Sequence, residues 1–358
     1  MTVPIGKRLQ RYCEERVILG DISLVLTERC PLRCLHCNFW REPIPKRDEL
    51  ALETVRAVLS DAYDIGFRGV NFTGGEPFLR PDLKDIVEIA AGTGFDHISL
   101  NTSGYVLKKD DFRWLSESPV GTLTFSIDGI GEIHDKFRGR AGAFEMLQRA
   151  MEQLQGKVNI NANLVIHSGN ARHISEVGEF LLSNGATFTV QPFEMRLANS
   201  SRMKELVLDD PSEIENVIKD LRTMRADERF RNSLLTSSEH IDIIERYLKD
   251  PSGVNLPCFV GYARPHVAAD GSVFPCYPLG KMGNVLEKSF LEIWNSEEYE
   301  RVRPAMLRRD CPNCLLNCYT RINLANMRRY RYEPLLRALD RFPALKNVAR
   351  RVWEEVRR

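Results

Sequence analysis

The sequence predicts a parallel α/β architecture followed by a smaller cysteine-rich module, on three observations. Between residues 21 and 194, apolar strand-like runs alternate with amphipathic helical stretches. Glycines fall where those helices should stop, at Gly66, Gly94, Gly156 and Gly185. Eight of the nine cysteines gather in two groups, Cys30/Cys34/Cys37 and Cys258/Cys276/Cys311/Cys314/Cys318. Cys13 stands apart and reads as structural or incidental.

Taken in order, the strands are expected at 22–26, 69–72, 97–100, 122–127, 158–165 and 187–190. Of the helices between them, one spans 50–63, with Leu52, Val55, Leu59 and Ala62 at helical spacing. Another spans 144–154, with Phe144, Leu147, Met151 and Leu154 on one face. Six such units in series imply a parallel sheet with right-handed crossovers, and the pattern alone fits a doubly wound sheet as well as a barrel. Residues 201–256 read as a helical connector and 257–320 as the cysteine-rich module, with 1–20 an N-terminal extension. The tail, 321–358, carries eleven Lys/Arg against four Asp/Glu, +7 against −6 for the remainder. It reads as a helix docked on its own domain with a solvated charged face, or else as a membrane-surface or partner-binding element.

Composition narrows the function classes. With 358 residues, 43% hydrophobic and 28% charged, the chain suits about two globular domains of ~150 residues each. A net charge of +1 gives no argument for nucleic acid. No apolar run approaches the ~18 residues of a membrane span, and no signal peptide is expected. The expected place is the cytoplasm, where thiols stay reduced and bind metal.

Cys30, Cys34 and Cys37 stand as C-x3-C-x2-C directly after the first strand. Three thiolates hold three irons of a cubane and leave the fourth open to a small molecule, whereas clusters otherwise take four cysteines. Zinc favours paired C-x2-C hooks and a closed tetrahedron. The run T-E-R-C-P-L-R-C-L-H-C resembles the signature of the radical S-adenosylmethionine (SAM) enzymes. Thr73-Gly74-Gly75-Glu76-Pro77, after the second strand, looks like that family's motif for the amino group of SAM. The resemblance implies a partial (β/α)6 TIM-like barrel, open at one side, with its chemistry at the C-terminal ends of the strands.

It further implies roles at the other strand ends. Ser126 and Asp128 would lie near the ribose with Asn101 and Thr102 close by, and Arg138 would pair with the methionyl carboxylate. His36, where relatives carry an aromatic residue, would flank the adenine. The bland reading of each polar residue is a helix cap or loop former. By family likeness, the reduced cluster would cleave SAM to methionine and a 5′-deoxyadenosyl radical that abstracts hydrogen from substrate, with flavodoxin or ferredoxin as electron donor.

Cys258-x12-Gly271-x4-Cys276 places an Asp270-Gly271 hairpin turn between two thiols. With Cys311-x2-Cys314-x3-Cys318 it resembles the SPASM auxiliary-cluster domain. Five cysteines instead of seven favour the one-cluster twitch version, with one auxiliary [4Fe–4S] cluster. Cys258, Cys276, Cys311 and Cys314 are the preferred ligands, Cys318 substitutes for either of the last two, and a zinc site is the alternative. Glu194 and Arg196 after the last strand, and Tyr262, Arg264 and His266 between the first auxiliary cysteines, are candidates for substrate contact. Glu194 comes first as proton acceptor, then His266, while a rim salt bridge Glu194–Arg196 is the plain alternative. The substrate is expected to be a peptide or protein side chain, or else a small molecule such as an aminocyclitol, sugar or lipid precursor. A non-enzymatic metal-binding scaffold is the reading from a different class.

Overall fold

A computed structural model describes residues 7–41, 43–194, 201–254, 256–276, 278–311 and 314–340. All six expected strands form: β1 (Asp21–Thr27), β2 (Gly69–Gly74), β3 (His97–Thr102), β4 (Thr122–Ile127), β5 (Asn159–Ile166) and β6 (Thr187–Pro192). α1 (Lys7–Arg16) precedes them. The crossovers carry α2 (Leu52–Ile65), α3 (Leu83–Thr93), α4 (Lys109–Glu117), α5 (Glu132–Arg138) and α6 (Ala143–Leu154), then α7 (Ile174–Ser183). Each strand pairs in parallel with its predecessor. A doubly wound sheet reverses its order at a switch point; across β1 to β6 the order runs one way throughout, as the barrel alternative requires.

Alternation along the strands separates two faces. On β4, Leu123 and Phe125 are fully buried in the main apolar core, while Thr122 and Thr124 line an interior cavity. On β5, Ile160, Ala162 and Leu164 face the core and Asn159, Asn161 and Asn163 the cavity. The barrel interior is therefore a polar lumen of about 820 Å³.

Both edges of the six-strand sheet are covered, which deals with their unpaired backbone groups. Beyond β6, the Phe188 N–H donates to the Ser233 carbonyl (2.7 Å) and the Leu235 N–H to the Phe188 carbonyl (2.8 Å). This stretch joins α8 (Pro211–Ala226) to α9 (Ser238–Lys249), whose Ile214, Leu221, Ile241 and Ile244 belong to the barrel core. The connector thus forms part of the barrel wall.

At the other edge, after α10 (Val260–Ala263), β7 (His266–Val267) pairs in parallel with β1. β8 (Ser272–Phe274) and β9 (Gly283–Asn284) extend the sheet to nine strands. The expected hairpin turn at Asp270-Gly271 is present, with Gly271 at φ +85°. α11 (Phe290–Trp294), α12 (Glu297–Arg308) and α13 (Asn317–Asp340) follow. α13 runs straight across the expected boundary at 320/321, and its first half docks on the barrel. Asn326 Oδ1 accepts from Tyr12 Oη (3.0 Å) and the Ile18 N–H (2.7 Å), and Asn323 Oδ1 from the Phe259 N–H (2.7 Å). Tail residues 341–358 lie outside the described residues. Among the described residues no helix is long and apolar enough to cross a membrane. Cys13 packs with Leu9, Tyr12, Phe259 and Leu307, a structural role.

Candidate active site

The loop bearing Cys30, Cys34 and Cys37 leaves the C-terminal end of β1 and is clamped by backbone on two sides. On one, the Gly75 N–H donates to the Thr27 carbonyl (2.7 Å) and the Glu76 N–H to the Arg29 carbonyl (2.9 Å). On the other, the Arg33 and Leu35 N–H groups donate to the carbonyls of Arg138 (3.0 Å) and Phe137 (2.9 Å). A Cβ on Gly75 would stand 2.3 Å from the Arg29 carbonyl oxygen, and one on Gly74, at φ +145°, 2.2 Å from that of Thr27. Both glycines are needed so that β2 can approach the cysteine loop, a partner the sequence reading had not named. Gly75→Ala is expected to cost about 1–3 kcal/mol through forced backbone movement. A urea midpoint equal to the parent's would show that the loops separate freely.

The three thiols pack around Leu32, Ala143 and Tyr105. Burial pushes the Cys30 thiol up to about 12, and Glu76, Cys34 and Cys37 add to the rise. Metal coordination removes such a proton outright. Three thiols held on one preformed loop suit a cluster with an open iron.

Glu76 is fully buried. Its Oε1 accepts from Thr102 Oγ1 (2.9 Å), and its Oε2 from the Ser103 N–H (3.0 Å) and Ser103 Oγ (2.5 Å). Burial raises its pKa against those bonds. Thr102 therefore orients Glu76, and Ser103, missed in the sequence, does the same. Asn101 bonds within the lumen wall, its Oδ1 accepting from Asn71 Nδ2 (3.1 Å) and its Nδ2 donating to Thr73 Oγ1 (3.2 Å). Ser126 lies two residues beyond Thr124 on the same inward face of β4.

Asp128, expected near the ribose, and Arg138, expected at the methionyl carboxylate, meet in one buried ion pair, Nε to Oδ2 2.7 Å. The reason is burial itself, since neither charge is tolerated there alone. Burial lifts Asp128 to about 6 although the guanidinium lowers it. Arg138 is pulled down by burial but ends above its usual value beside Asp128 and Cys34. Its Nη1 lies 3.7 Å from Cys34 Sγ, so the pair borders the cysteine loop.

His36 stacks on Phe137 (4.9 Å, 23°), and Phe137 stacks on His167 (4.1 Å, 13°). Burial first, then the Arg138 charge, lowers each histidine to about 3, so both rings are neutral. His36 Nδ1 and His167 Nε2 are buried without a hydrogen-bond partner among the described residues, as suits a wall against a polar ring. His167 was missed; its position directly after β5, at the rim of the other motifs, was the available sign.

In the auxiliary module, Cys258, Cys276, Cys311 and Cys314 interact electrostatically with one another. Burial raises Cys258 and Cys276 and takes Cys314 to about 12. Cys318, in the first turn of α13, lines the lumen. Among the described residues, no three His, Cys, Asp or Glu groups converge as around a single ion; a cubane spreads its thiolates over four corners.

Glu194 is buried and faces this module instead of an opening. Its Oε2 accepts from the Leu315 N–H (3.0 Å), next to Cys314, and from the Tyr247 hydroxyl. It ties the end of β6 to the auxiliary loop, so the carboxylate expected as proton acceptor is already engaged by two donors. His266 is buried too, its Nε2 2.7 Å from Tyr319 Oη, with burial holding the ring neutral. Arg196 lies outside the described residues, and with it the expected Glu194–Arg196 salt bridge.

Residues 24–181 match the family model "Radical SAM superfamily", and residues 258–319 the SPASM "Iron-sulfur cluster-binding domain". The chain belongs to the radical SAM superfamily. It is an enzyme whose cofactors are SAM and [4Fe–4S] clusters. It is similar to the Fe-coproporphyrin III synthase of Methanosarcina barkeri, 26% identical over 296 residues, covering 75% of this chain and 72% of the relative. The PqqA peptide cyclase of Gluconobacter oxydans is 26% identical over 279 residues, 75% of each chain. The structure of native anSMEcpe with bound AdoMet and Cp18Cys peptide shares the fold, with TM-score 0.63 and 19% identity over 93% of this chain and 100% of that one.

Proposed function

We propose that this radical SAM enzyme oxidises or cross-links a peptide or protein side chain in the barrel lumen. The observation that carries it is that one lumen joins the cofactor rim to the auxiliary module. It includes Thr73 and Asn101 beside the Glu76 site, and Cys318 and Leu316 beside the auxiliary thiols. Relatives named as a peptide cyclase and as a peptide-bound enzyme support the substrate class. The lumen volume also lies within the ~300–1,000 Å³ range of small-molecule sites, and a porphyrin-named relative favours that second reading.

When bound, the reduced cluster and SAM supply a carbon-centred radical able to take hydrogen from an unactivated C–H bond. In our reading Cys30, Cys34 and Cys37 hold the cluster, and the Glu76 carboxylate holds the cofactor ammonium. Gly74 and Gly75 keep that carboxylate against the cysteine loop. Asn101, Ser126 and Asp128 face the sugar, Arg138 neutralises Asp128 beside Cys34, and the His36–Phe137–His167 stack walls the base. Cys258, Cys276, Cys311 and Cys314 hold the auxiliary cluster, and Glu194 positions their loop. The proposal keeps the domain limits of the sequence analysis, except that the helix crossing 320/321 joins module and tail. A cytoplasmic location and a flavodoxin or ferredoxin donor complete the proposal.

Anaerobically reconstituted, reduced protein is expected to convert SAM to methionine and 5′-deoxyadenosine. No 5′-deoxyadenosine would end the enzyme reading. Glu194→Gln, which keeps the side-chain shape, should lower iron in the auxiliary module while that conversion persists. Parent-level auxiliary iron would remove Glu194's positioning role.

A further inference from the structure

We propose that the lumen binds an elongated, carboxylate-bearing substrate whose anionic end is held at its floor by Arg321. This rests on reading the lumen as the substrate site and adds the class of substrate.

The charges on the lumen lining are unequal. Asp21 is its one carboxylate among the described residues, against Arg264, Arg321 and Arg328. Asp21 already faces Arg264 (3.6 Å) and His97 (3.4 Å). Arg328 reaches Glu239 (3.4 Å). Arg321 makes no ion pair or hydrogen bond among the described residues. Its side chain is exposed where it lines the lumen, with Asp21 and Arg264 the nearby charges. Removal from bulk solvent pulls its guanidinium below the usual value, with Asp21 the charge opposing that. A cation in such a place gains most from an incoming anion, and a planar guanidinium suits the two oxygens of a carboxylate.

Position sets the length of the ligand. The groups that feel Arg321 include Asp21, His97 and His240. Asp21 and His97 begin β1 and β3, whereas Cys30 follows the far end of β1. Six residues of strand at ~3.3 Å each put about 20 Å between floor and rim. A substrate touching both is elongated, with its reacting carbon well removed from the carboxylate. Asn71, Asn101, Asn161 and Asn163 line the way with neutral donors and acceptors.

The test uses nonanedioate (azelate) and nonane-1,9-diol, which match in length and differ in charge, titrated calorimetrically into reconstituted protein. Azelate is expected to bind at least about tenfold more tightly than the diol, as befits a charge-assisted contact. Arg321→Gln should abolish that preference and Arg321→Lys should keep most of it. Equal binding of acid and diol to the parent, which requires no variant, would overturn the proposal, as would an unchanged preference in Arg321→Gln. Hexa-alanine against its C-terminal amide then separates a peptide end from a small acid as the source of the carboxylate. The titration does not depend on turnover. Absent SAM cleavage would defeat the enzyme reading and leave the binding result standing, and indifference to charge would do the reverse.

Discussion

Replacing Cys30, Cys34 and Cys37 together by alanine is expected to cut bound iron from about eight to about four and to stop 5′-deoxyadenosine formation. The loss should be confined to one cluster, because the two thiol groups pack in separate apolar clusters. The variant should still fold. Its loop is held by main-chain bonds from Gly75, Glu76, Arg33 and Leu35, none of which uses a thiol. Iron analysis with electronic absorption, a 5′-deoxyadenosine assay and a urea unfolding curve read these outcomes. Iron that stays near eight would clear these cysteines of the role. Parent iron near four, with zinc in the C-terminal module, would sink the two-cluster assignment.

The Asp128–Arg138 pair should give the largest stability effect of any single side chain at the rim. Arg138→Met leaves a buried carboxyl without its counter-charge, at a cost of about 3–5 kcal/mol. Asp128→Asn combined with Arg138→Met removes both charges and should recover much of that loss. The pH dependence has a definite sign. With the guanidinium present, Asp128 sits at about 6, above the ~3.9 of an unfolded chain. The folded state therefore binds its proton more tightly, and stability falls as pH rises from about 4 through about 6. Without Arg138 the folded value climbs further, so the fall extends to higher pH in Arg138→Met and disappears in the double variant. Urea midpoints from pH 5 to 8 check this. A flat profile in Arg138→Met would mean that the carboxyl has found water or another partner.

Six strands and both cysteine groups were legible because their patterns are local: alternation, glycine stops and fixed spacings. The lumen was not. Asn159, Asn161 and Asn163 alternate with apolar residues as they would on a sheet facing solvent, and a strand cannot record whether the water on its polar face is inside or outside. The run of α13 across the barrel was hidden for a similar reason. Its inward contacts mix the polar Asn323 and Asn326 with Tyr319, Leu324 and Met327, so no single apolar stripe marks them. At the site, Glu76 and the cysteines could be named, but not their partners. Ser103 is 27 residues from Glu76, and Leu315 is 121 from Glu194. Such contacts are made by the tertiary fold.

The bond between Tyr12 and Asn326 spans 314 positions of the chain. During translation the first residues emerge long before the last, and domains begin to organise as they appear. β1 to β6 can pair while α13 is still inside the ribosome, with the wall unsealed between the connector and β7. Closing so long a loop adds little entropy beyond that of a medium one, but it raises contact order and slows the final step. The segment made late thus supplies one wall of the lumen, so the nascent barrel first stands with that side of its interior open to solutes.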